Sequence, residues 1–378
     1  MIKSDTMTHG SPTKKIFFFA MPLIMGNIFQ QLYTFFDTVI VGKMIGLDAL
    51  AAIGTTEWLS FLMFGMIQGI TQGFSVFIAQ KYGAGDYRSV RRGVSNSMYL
   101  SLVGAFLFVI VGQTLIMPLL QLLKTPNEII EMSRCYLSVL YYGVPVSFLY
   151  NLFAAVQIIS MLICLYRLKG YTILKFEDGD RKPYVEICME QLKLGVPMGI
   201  QNIIISIGGL VVQSVVNGYG VIFIAAYTAA TKLYGLLETA ASSYSYAVST
   251  YVGQNYGAKE IKRVRRGLKA ASGIGIVTAL VMSAVMLLGG REILNLFIGG
   301  EIENTQKVIE IGYQYLKILA VFFPLLYLLY IWRACIQGLG NTVLLMLSSF
   351  MQLLLLVYFM ESIKAATVTK KDILNSMF

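Results

Sequence analysis

Long apolar runs separated by short polar segments recur along the whole chain. An apolar stretch of about 18 residues or more is long enough to cross a bilayer as an α-helix. The pattern therefore predicts an all-α polytopic membrane protein with about nine spans, the fourth of which is longer than one crossing needs. The predicted spans are residues 16–41, 58–79, 94–118, 135–166, 194–216, 220–250, 268–290, 308–335 and 342–360.

The composition supports a membrane protein and excludes several classes of soluble protein. Apolar residues make up 56% of the 378 residues and charged residues only 13%, roughly half of the share that soluble domains carry. So few charges cannot cover a water-exposed surface. A soluble enzyme, a nucleic-acid-binding protein and a disordered chain are therefore excluded, and we expect a lipid bilayer and no nucleic acid as partner.

The distribution of the positive charges predicts the orientation in the membrane. The net charge is +10, and 19 Lys and Arg residues lie in the N-terminal tail and in the segments 80–93, 167–193 and 254–269. The connections on the opposite side carry six. Because cytoplasmic loops are enriched in Lys and Arg, we expect the N-terminus and the basic segments in the cytoplasm.

The residues that carry most enzyme chemistry are scarce. The chain has one histidine, His9, and four widely spaced cysteines that form no Cys-x-x-Cys pair. The chain therefore lacks the histidines that a histidine-based metal site or a catalytic triad would need. The basic segments also lack the Lys-Ser/Thr ending of a phosphate-binding loop. We expect no enzyme, no metal centre and no cofactor.

An internal repeat divides the chain into two halves. Residues 80–93 align without gaps on residues 254–267, with eight of fourteen positions identical at a constant offset of 174. Prolines occupy equivalent places in the two halves: Pro22 and Pro197, and Pro145 and Pro324. A parallel repeat of this kind relates two halves by an axis along the membrane normal, and transporters bind substrates at the interface between such halves.

Several motifs in a fixed order resemble a known family. Pro22 is followed by Phe-Phe-Asp-Thr-Val-Ile-Val-Gly at 35–42, both halves carry Gln-x-Tyr-Gly-Ala, and Arg-Ala-Cys-Ile-Gln-Gly-Leu-Gly-Asn-Thr occupies 333–342. Residues 12–156 and 186–350 thereby resemble the multidrug and toxic compound extrusion (MATE) family of bacterial antiporters. The resemblance implies two six-helix lobes that export amphipathic, often cationic compounds in exchange for Na⁺ or H⁺. It also implies a monomer in the bacterial inner (plasma) membrane that works by alternating access.

The resemblance also defines domains and two departures from the family pattern. It divides the chain into an N-terminal lobe (1–166), a cytoplasmic linker (167–193), a C-terminal lobe (194–360) and a polar tail (361–378). Residues 153–167 join the front of the family's fourth helix to the back of its sixth, so that the N-terminal lobe is incomplete. The last family helix is also missing. This chain is therefore expected to have about nine spans, whereas the family has twelve.

Asp37 is the clearest candidate for a functional residue. It lies near the outer end of the first span, where a charge is costly and usually functional. Such a carboxyl can exchange a proton or bind Na⁺, and the resemblance supports this role because the family uses an acid in this motif. An interfacial, solvated acid is the alternative. Gln30 and Tyr33 lie on the same helical face and are candidates to line the substrate cavity, with bundle packing as the alternative.

Further candidates lie in the second half and at the prolines. Gln201 follows Pro197, and Glu238 is an acid within the sixth run, and both are predicted to line the substrate cavity. The acids that some family members carry in later helices have no counterpart here. Helix-interior prolines allow bending, so a hinge role is predicted for all four, with simple kinks as the alternative: Pro22, Pro145, Pro197 and Pro324.

Three functions compete on the sequence alone. The first is a cation-coupled drug antiporter. The second is a lipid-linked oligosaccharide flippase of the same superfamily, for which a cationic cavity is expected, whereas the basic residues here lie mostly in loops. The third is an inactive remnant of a MATE transporter, which the missing helices favour.

Overall fold

The structure is a computed structural model that describes residues 7–44, 47–122, 125, 127–143, 145, 179–217, 219, 221–297 and 302–375. For some of these residues, among them 33–44, 47–55 and 359–375, only the backbone is described. The second part of the predicted fourth span, from residue 146, lies outside the described residues, as do residues 167–178 of the predicted linker.

Every regular element in the described ranges is an α-helix, as the apolar runs predict. The helices are α1 (Pro12–Met44), α2 (Leu47–Gly83), α3 (Tyr87–Leu122), α4 (Asn127–Tyr142), α5 (Val185–Asn217), α6 (Val221–Gly257), α7 (Ile261–Phe297), α8 (Ile302–Gly338) and α9 (Thr342–Asn375). The helices extend beyond the predicted spans because polar segments continue the helical hydrogen bonding outside the apolar run. α9, for example, continues through the polar residues after 360.

Several helices are long and apolar enough to cross a membrane. By length and composition, five qualify within the described residues: Leu59–Gly83, Tyr87–Gln121, Val185–Val212, Ile261–Asn295 and Gln306–Gly338. Their outward faces carry large apolar side chains, such as Phe106 on α3 and Leu288 on α7, which are 72% and 84% exposed. In lipid such faces need no polar cover, and helices satisfy their own backbone groups. The fold is that of a multi-pass membrane protein.

The turns after α2 and α6 confirm the repeat. Gly85 and Lys259, which are equivalent at the offset of 174, both adopt positive φ angles of 76° and 61°. The hydrogen bonds match as well, because the amides of Ala84 and Ala258 both donate to the carbonyl four residues earlier, at 3.0 Å. A left-handed residue after a helix is a common way to end it. The two turns define the basic end of the bundle, which carries residues 80–93 and 254–267.

The first helix of each half packs against the other half. α1 packs mainly on α6 and α7 of the second half, whereas α5 packs mainly on α2 of the first half and also on α9 of its own half. Ile16 and Ala20 of α1 are fully buried in the largest apolar core, which is built mainly from α6, α7 and α8. A second core joins α2, α3 and α4. The two halves are therefore interlocked along two equivalent seams, α2–α5 and α1–α6.

The short leader segments before α1 and α5 (residues 7–11 and 179–184) are exchanged in the same way. Arg263 on α7 donates to the carbonyl oxygens of Met7 and Gly10, each at 3.1 Å. On the other side, Arg91 on α3 pairs with the carboxylate of Asp180 at 2.6 Å, and Asp180 is only 1% exposed. Each leader thus fixes its helix to the opposite half, one through backbone carbonyls and one through a buried ion pair.

Candidate functional site

The α2–α5 seam brings two backbones into direct contact. A Cβ atom on Gly73 would overlap the backbone of Gly195, and one on Gly69 would overlap the backbone around Met198. Glycines four residues apart let two membrane helices approach closely. At this crossing the side-chain amide of Asn202 donates to the carbonyl oxygen of Gly65 at 2.7 Å. The seam is therefore tight and holds a polar bond inside the bundle.

The α1–α6 seam carries an equivalent bond between side chains. Asn27 donates to the hydroxyl oxygen of Ser243 at 3.1 Å. Asn27 and Asn202 each lie five residues after the first proline of their half, Pro22 and Pro197. Both halves therefore use an asparagine of their first helix to contact the second helix of the other half.

A polar contact also joins the second helices of the two halves. The side-chain amide of Gln68 on α2 donates to the hydroxyl of Tyr246 on α6. The region between the halves thus contains amide and hydroxyl groups from four helices, α1, α2, α5 and α6. Such neutral groups can solvate a cation or bind polar parts of a compound without the cost of burying a charge.

A glutamate that is hydrogen-bonded to tyrosines lies inside the second half. The carboxylate of Glu238 on α6 accepts a hydrogen bond from the hydroxyl of Tyr330 on α8. Tyr234, one turn before Glu238, also hydrogen-bonds the carboxyl group. Tyr327, which lies one turn before Tyr330 on α8, donates to the carbonyl oxygen of Leu237 at 2.9 Å. We call Tyr234, Glu238, Tyr327 and Tyr330 the tyrosine–glutamate cluster.

The cluster is suited to hold a proton or one monovalent cation. Among the described contacts, Glu238 forms no ion pair with Lys or Arg. A carboxylate between membrane helices needs a partner charge or a proton. Within the described residues, no group of three or more His, Cys, Asp or Glu side chains could hold a metal ion. The chemistry available at Glu238 is therefore protonation or the binding of one cation beside tyrosine hydroxyls.

The structure places the predicted site residues on helices of both halves. Gln30 is exposed on α1, and Gln201 is half-buried on α5. Glu238 belongs to the tyrosine–glutamate cluster. Tyr33 and Asp37 are part of α1, but their side chains lie outside the described residues, and their roles stay predictions.

The predicted hinge prolines lie within or beside helices. α1, α5 and α8 each continue through a proline as one helix, at Pro22, Pro197 and Pro324. Pro145 follows α4, and its neighbours at 144 and 146 lie outside the described residues. A hinge role stays a prediction for all four.

Sequence reasoning missed two sets of residues. The tyrosines of the cluster carry no local signal, because Tyr330 is 92 residues from Glu238 in the chain. Asn27 and Asn202 did carry one, since their equal distance from a proline in both halves marks an equivalent position. Polar residues at equivalent places of a repeated membrane span are the signal that could have found them.

The geometry defines a polytopic α-helical membrane protein made of two interlocked, repeated halves with polar groups between them. The sequence model of the MatE family matches residues 22–157 and 197–361. This match covers well over half of the chain, and the chain belongs to the MATE family.

Curated relatives are multidrug transport proteins by name. The chain is 24% identical over 419 residues to the probable multidrug resistance protein YpnP of Bacillus subtilis, with 98% of this chain and 93% of the relative covered. It is 20% identical over 353 residues to the multidrug export protein MepA of Staphylococcus aureus, with 81% and 77% covered. The alignment with YpnP is longer than this chain, so it contains positions that this chain lacks.

Solved structures share the fold. A MATE protein in complex with MaL6 superposes with a TM-score of 0.82 at 20% identity, over 92% of this chain and 88% of the other. A MOP superfamily transporter from Pyrococcus furiosus superposes with a TM-score of 0.79 at 21% identity, over 91% and 86%. The predicted MATE fold and family are thereby confirmed.

Proposed function

We propose that the chain is a cation-coupled antiporter that exports amphipathic or cationic drugs by alternating access, with Na⁺ or H⁺ as the coupling ion. Membership of the MATE family supports multidrug efflux, and the names of YpnP and MepA state multidrug resistance and export. The excess of Lys and Arg in the basic segments supports a cytoplasmic N-terminus in a bacterial plasma membrane.

The tyrosine–glutamate cluster is the observation that carries the coupling proposal. Its carboxyl group lies between α6 and α8 and has tyrosine hydroxyls as its described partners. An ionised carboxyl there attracts a cation, and a neutral one holds a proton. Exchange between these states, as the site faces one side of the membrane and then the other, is what an antiporter needs.

Asp37 is proposed as a second coupling group. Its helix, α1, packs directly on α6, which carries Glu238. The two acids are therefore carried by the two helices of one seam. Movement along this seam changes the surroundings of both groups, so that binding of a cation at either acid is linked to the conformation of the bundle.

Ethidium efflux tests the proposal. The chain is expressed in cells that lack their own drug pumps, and the initial efflux rate is compared with that of an empty vector. We expect Asp37→Asn and Glu238→Gln to reduce efflux to the rate of the vector, because an amide cannot exchange a proton or hold a cation by charge. Imposed Na⁺ and pH gradients in vesicles then identify the coupling ion.

Glu310→Gln is the matched control. Glu310 lies on α8 like Tyr330, but its side chain is 45% exposed and pairs with Arg291. We expect this variant to keep the efflux rate of the unsubstituted chain. If the unsubstituted protein is shown to be in the membrane but its efflux rate does not exceed that of the empty vector, the proposal is wrong. That result would favour an inactive remnant.

A further inference from the structure

The two copies of Gln-x-Tyr-Gly-Ala touch each other at the basic end of the bundle. A Cβ atom on Gly83 would overlap the carbonyl oxygen of Gln254, and a Cβ atom on Gly257 would overlap the carbonyl oxygen of Gln80. Gln80 is equivalent to Gln254, and Gly83 to Gly257. The contact is therefore reciprocal, as at a two-fold interface, and it lies on the axis that relates the two halves.

Side chains near this crossing bind the ends of α2 and α6 to neighbouring segments. The amide of Gln80 donates to the carbonyl oxygen of Gly338, the last residue of α8, at 2.8 Å. The side-chain oxygen of Gln254 accepts a hydrogen bond from the backbone amide of Met7 at 2.9 Å. The crossing is therefore closed by backbone contact and held by one glutamine from each half.

A small cavity lined mainly by polar residues lies about two helical turns before the crossing on α2 and α6. It has a volume of about 20 Å³ and is lined by Gln72, Ser75, Val76, Tyr246, Ser249 and Thr250. These six residues form three equivalent pairs at the offset of 174, so the cavity also lies on the axis. Its volume holds about one water molecule, and its amide and hydroxyl groups offer the polar partners that a buried water needs.

We propose that the Gly83–Gly257 crossing is the cytoplasmic gate of the transporter, and that the axial cavity is a water-binding site at the inner end of the transport pathway. The proposal rests on the proposed function and orientation. Opening the pathway to the cytoplasm separates the ends of α2 and α6 and connects the axial cavity to cytoplasmic water. Closing returns the two glycine backbones to contact and separates the cavity from cytoplasmic water.

The size of the residue at the crossing sets the balance between the two states. A methyl group at position 83 or 257 does not fit the closed crossing, so Gly83→Ala and Gly257→Ala favour the open gate. Gly273 on α7 supplies the matched control, because among the described residues no atom outside the backbone of its own helix lies within 4 Å of the place where its Cβ would stand. All three variants are glycine to alanine changes in long helices.

Cysteine labelling measures the opening without any need for transport. Ser75→Cys places a thiol in the axial cavity of a chain in which the native cysteines are replaced by serine. An impermeant maleimide is added to inside-out or right-side-out vesicles, and the rate of labelling is measured. We expect Gly83→Ala and Gly257→Ala to raise labelling from the cytoplasmic side about tenfold or more, and Gly273→Ala to leave it unchanged. Equal rates in all variants, or faster labelling from the outside only, would overturn the gate.

A cross-link tests the gate independently of the alanine variants. A Cβ on Gly253 would stand 3.1 Å from the Cβ of Ala79, close to the spacing that a disulfide needs. We expect the pair Ala79→Cys and Gly253→Cys to cross-link on oxidation, and the cross-linked protein to lose efflux until a reductant is added. Failure to cross-link, or full efflux from cross-linked protein, would overturn the proposal. Loss of efflux in every form, with the labelling difference intact, would refute the proposed function and leave the gate standing.

Discussion

The two seams between the halves occupy equivalent places but differ in how closely their helices approach. At the α2–α5 seam the glycines at 69 and 73 face the backbone of α5. At the α1–α6 seam the equivalent positions on α6 are Ser243 and Ala247, and the position equivalent to Gly195 is Ala20. Because these residues carry side chains, we expect the backbones of α1 and α6 to lie further apart than those of α2 and α5. The repeat thus preserves the topology, whereas the size of a few residues sets the distance between helices.

The leader segments show the same difference. The leader before α5 is fixed by the buried pair of Asp180 with Arg91, whereas the leader before α1 is held by hydrogen bonds from Arg263 to backbone carbonyls. One seam therefore combines backbone contact with a buried ion pair, and the other combines side-chain contact with hydrogen bonds. We expect the α2–α5 seam to stay fixed and the α1–α6 seam to move.

The largest effect is expected from the ion pair of the α5 leader. Asp180→Asn leaves Arg91, whose side chain is 8% exposed, without its carboxylate, and breaking a buried pair costs about 3 kcal/mol. The matched change in the other leader, Arg263→Gln, removes hydrogen bonds only and is expected to cost about 1 kcal/mol. Unfolding by denaturant in detergent micelles measures both. Equal losses would remove the difference between the leaders.

A somewhat smaller effect is expected from the glycines of the tight seam. Gly73→Ala forces α2 and α5 apart and is expected to lower the free energy of unfolding by about 2 kcal/mol. Gly26 on α1 is the control, because its Cβ position has open space around it: in the part of the chain that the structure describes, no atom beyond the backbone of α1 lies within 4 Å. Gly26→Ala is expected to be neutral or slightly stabilising. A tolerated alanine at 73, measured by the same unfolding assay, would show that the seam is not tightly packed.

The two asparagines allow a finer comparison. Asn202→Ala removes a bond of 2.7 Å to a carbonyl oxygen, and Asn27→Ala removes a bond of 3.1 Å to a hydroxyl. We expect losses of about 1 and about 0.5 kcal/mol, in the range of side-chain hydrogen bonds between membrane helices. A double-mutant cycle of Asn27→Ala with Ser243→Ala isolates the second bond. A larger loss at Asn27 would reverse the order of the two seams.

The smallest effect is expected at the turn before α3, which lies outside the spans. The backbone amide of Ser89 donates to the carboxylate of Asp86 at 3.0 Å, and hydrogen bonding by Ser89 lowers the pKa of Asp86. A carboxyl with a lowered pKa stabilises the fold above its unfolded pKa of about 4 and loses this contribution as the pH falls through the folded value. Asp86→Ala is expected to cost about 0.5 kcal/mol at neutral pH. Unfolding curves of the variant and the unsubstituted chain should therefore converge in acid.

The sequence predicts the helices well, because the length of an apolar run is a local property. The repeat and the family follow from motifs that are also local, and the axial contact of the two Gln-x-Tyr-Gly-Ala copies is a consequence of that repeat. The exchange of α1 and α5 between the halves depends on packing between distant residues, so no local pattern indicates it. The same holds for the site, where Glu238 is recognisable as an acid in a span but Tyr330 is joined to it only by the fold.

The most direct test is a pair of distance measurements across the two seams. Spin labels at Leu32 and Gly235 report on the outer part of the α1–α6 seam, and labels at Phe61 and Ile205 report on the α2–α5 seam. Double electron–electron resonance is recorded at neutral and acidic pH, with and without Na⁺. We expect the distance distribution across α1–α6 to shift between conditions by more than its own width, while that across α2–α5 stays constant. Equal shifts at both seams, or a shift confined to α2–α5, would contradict the division into one fixed and one moving seam.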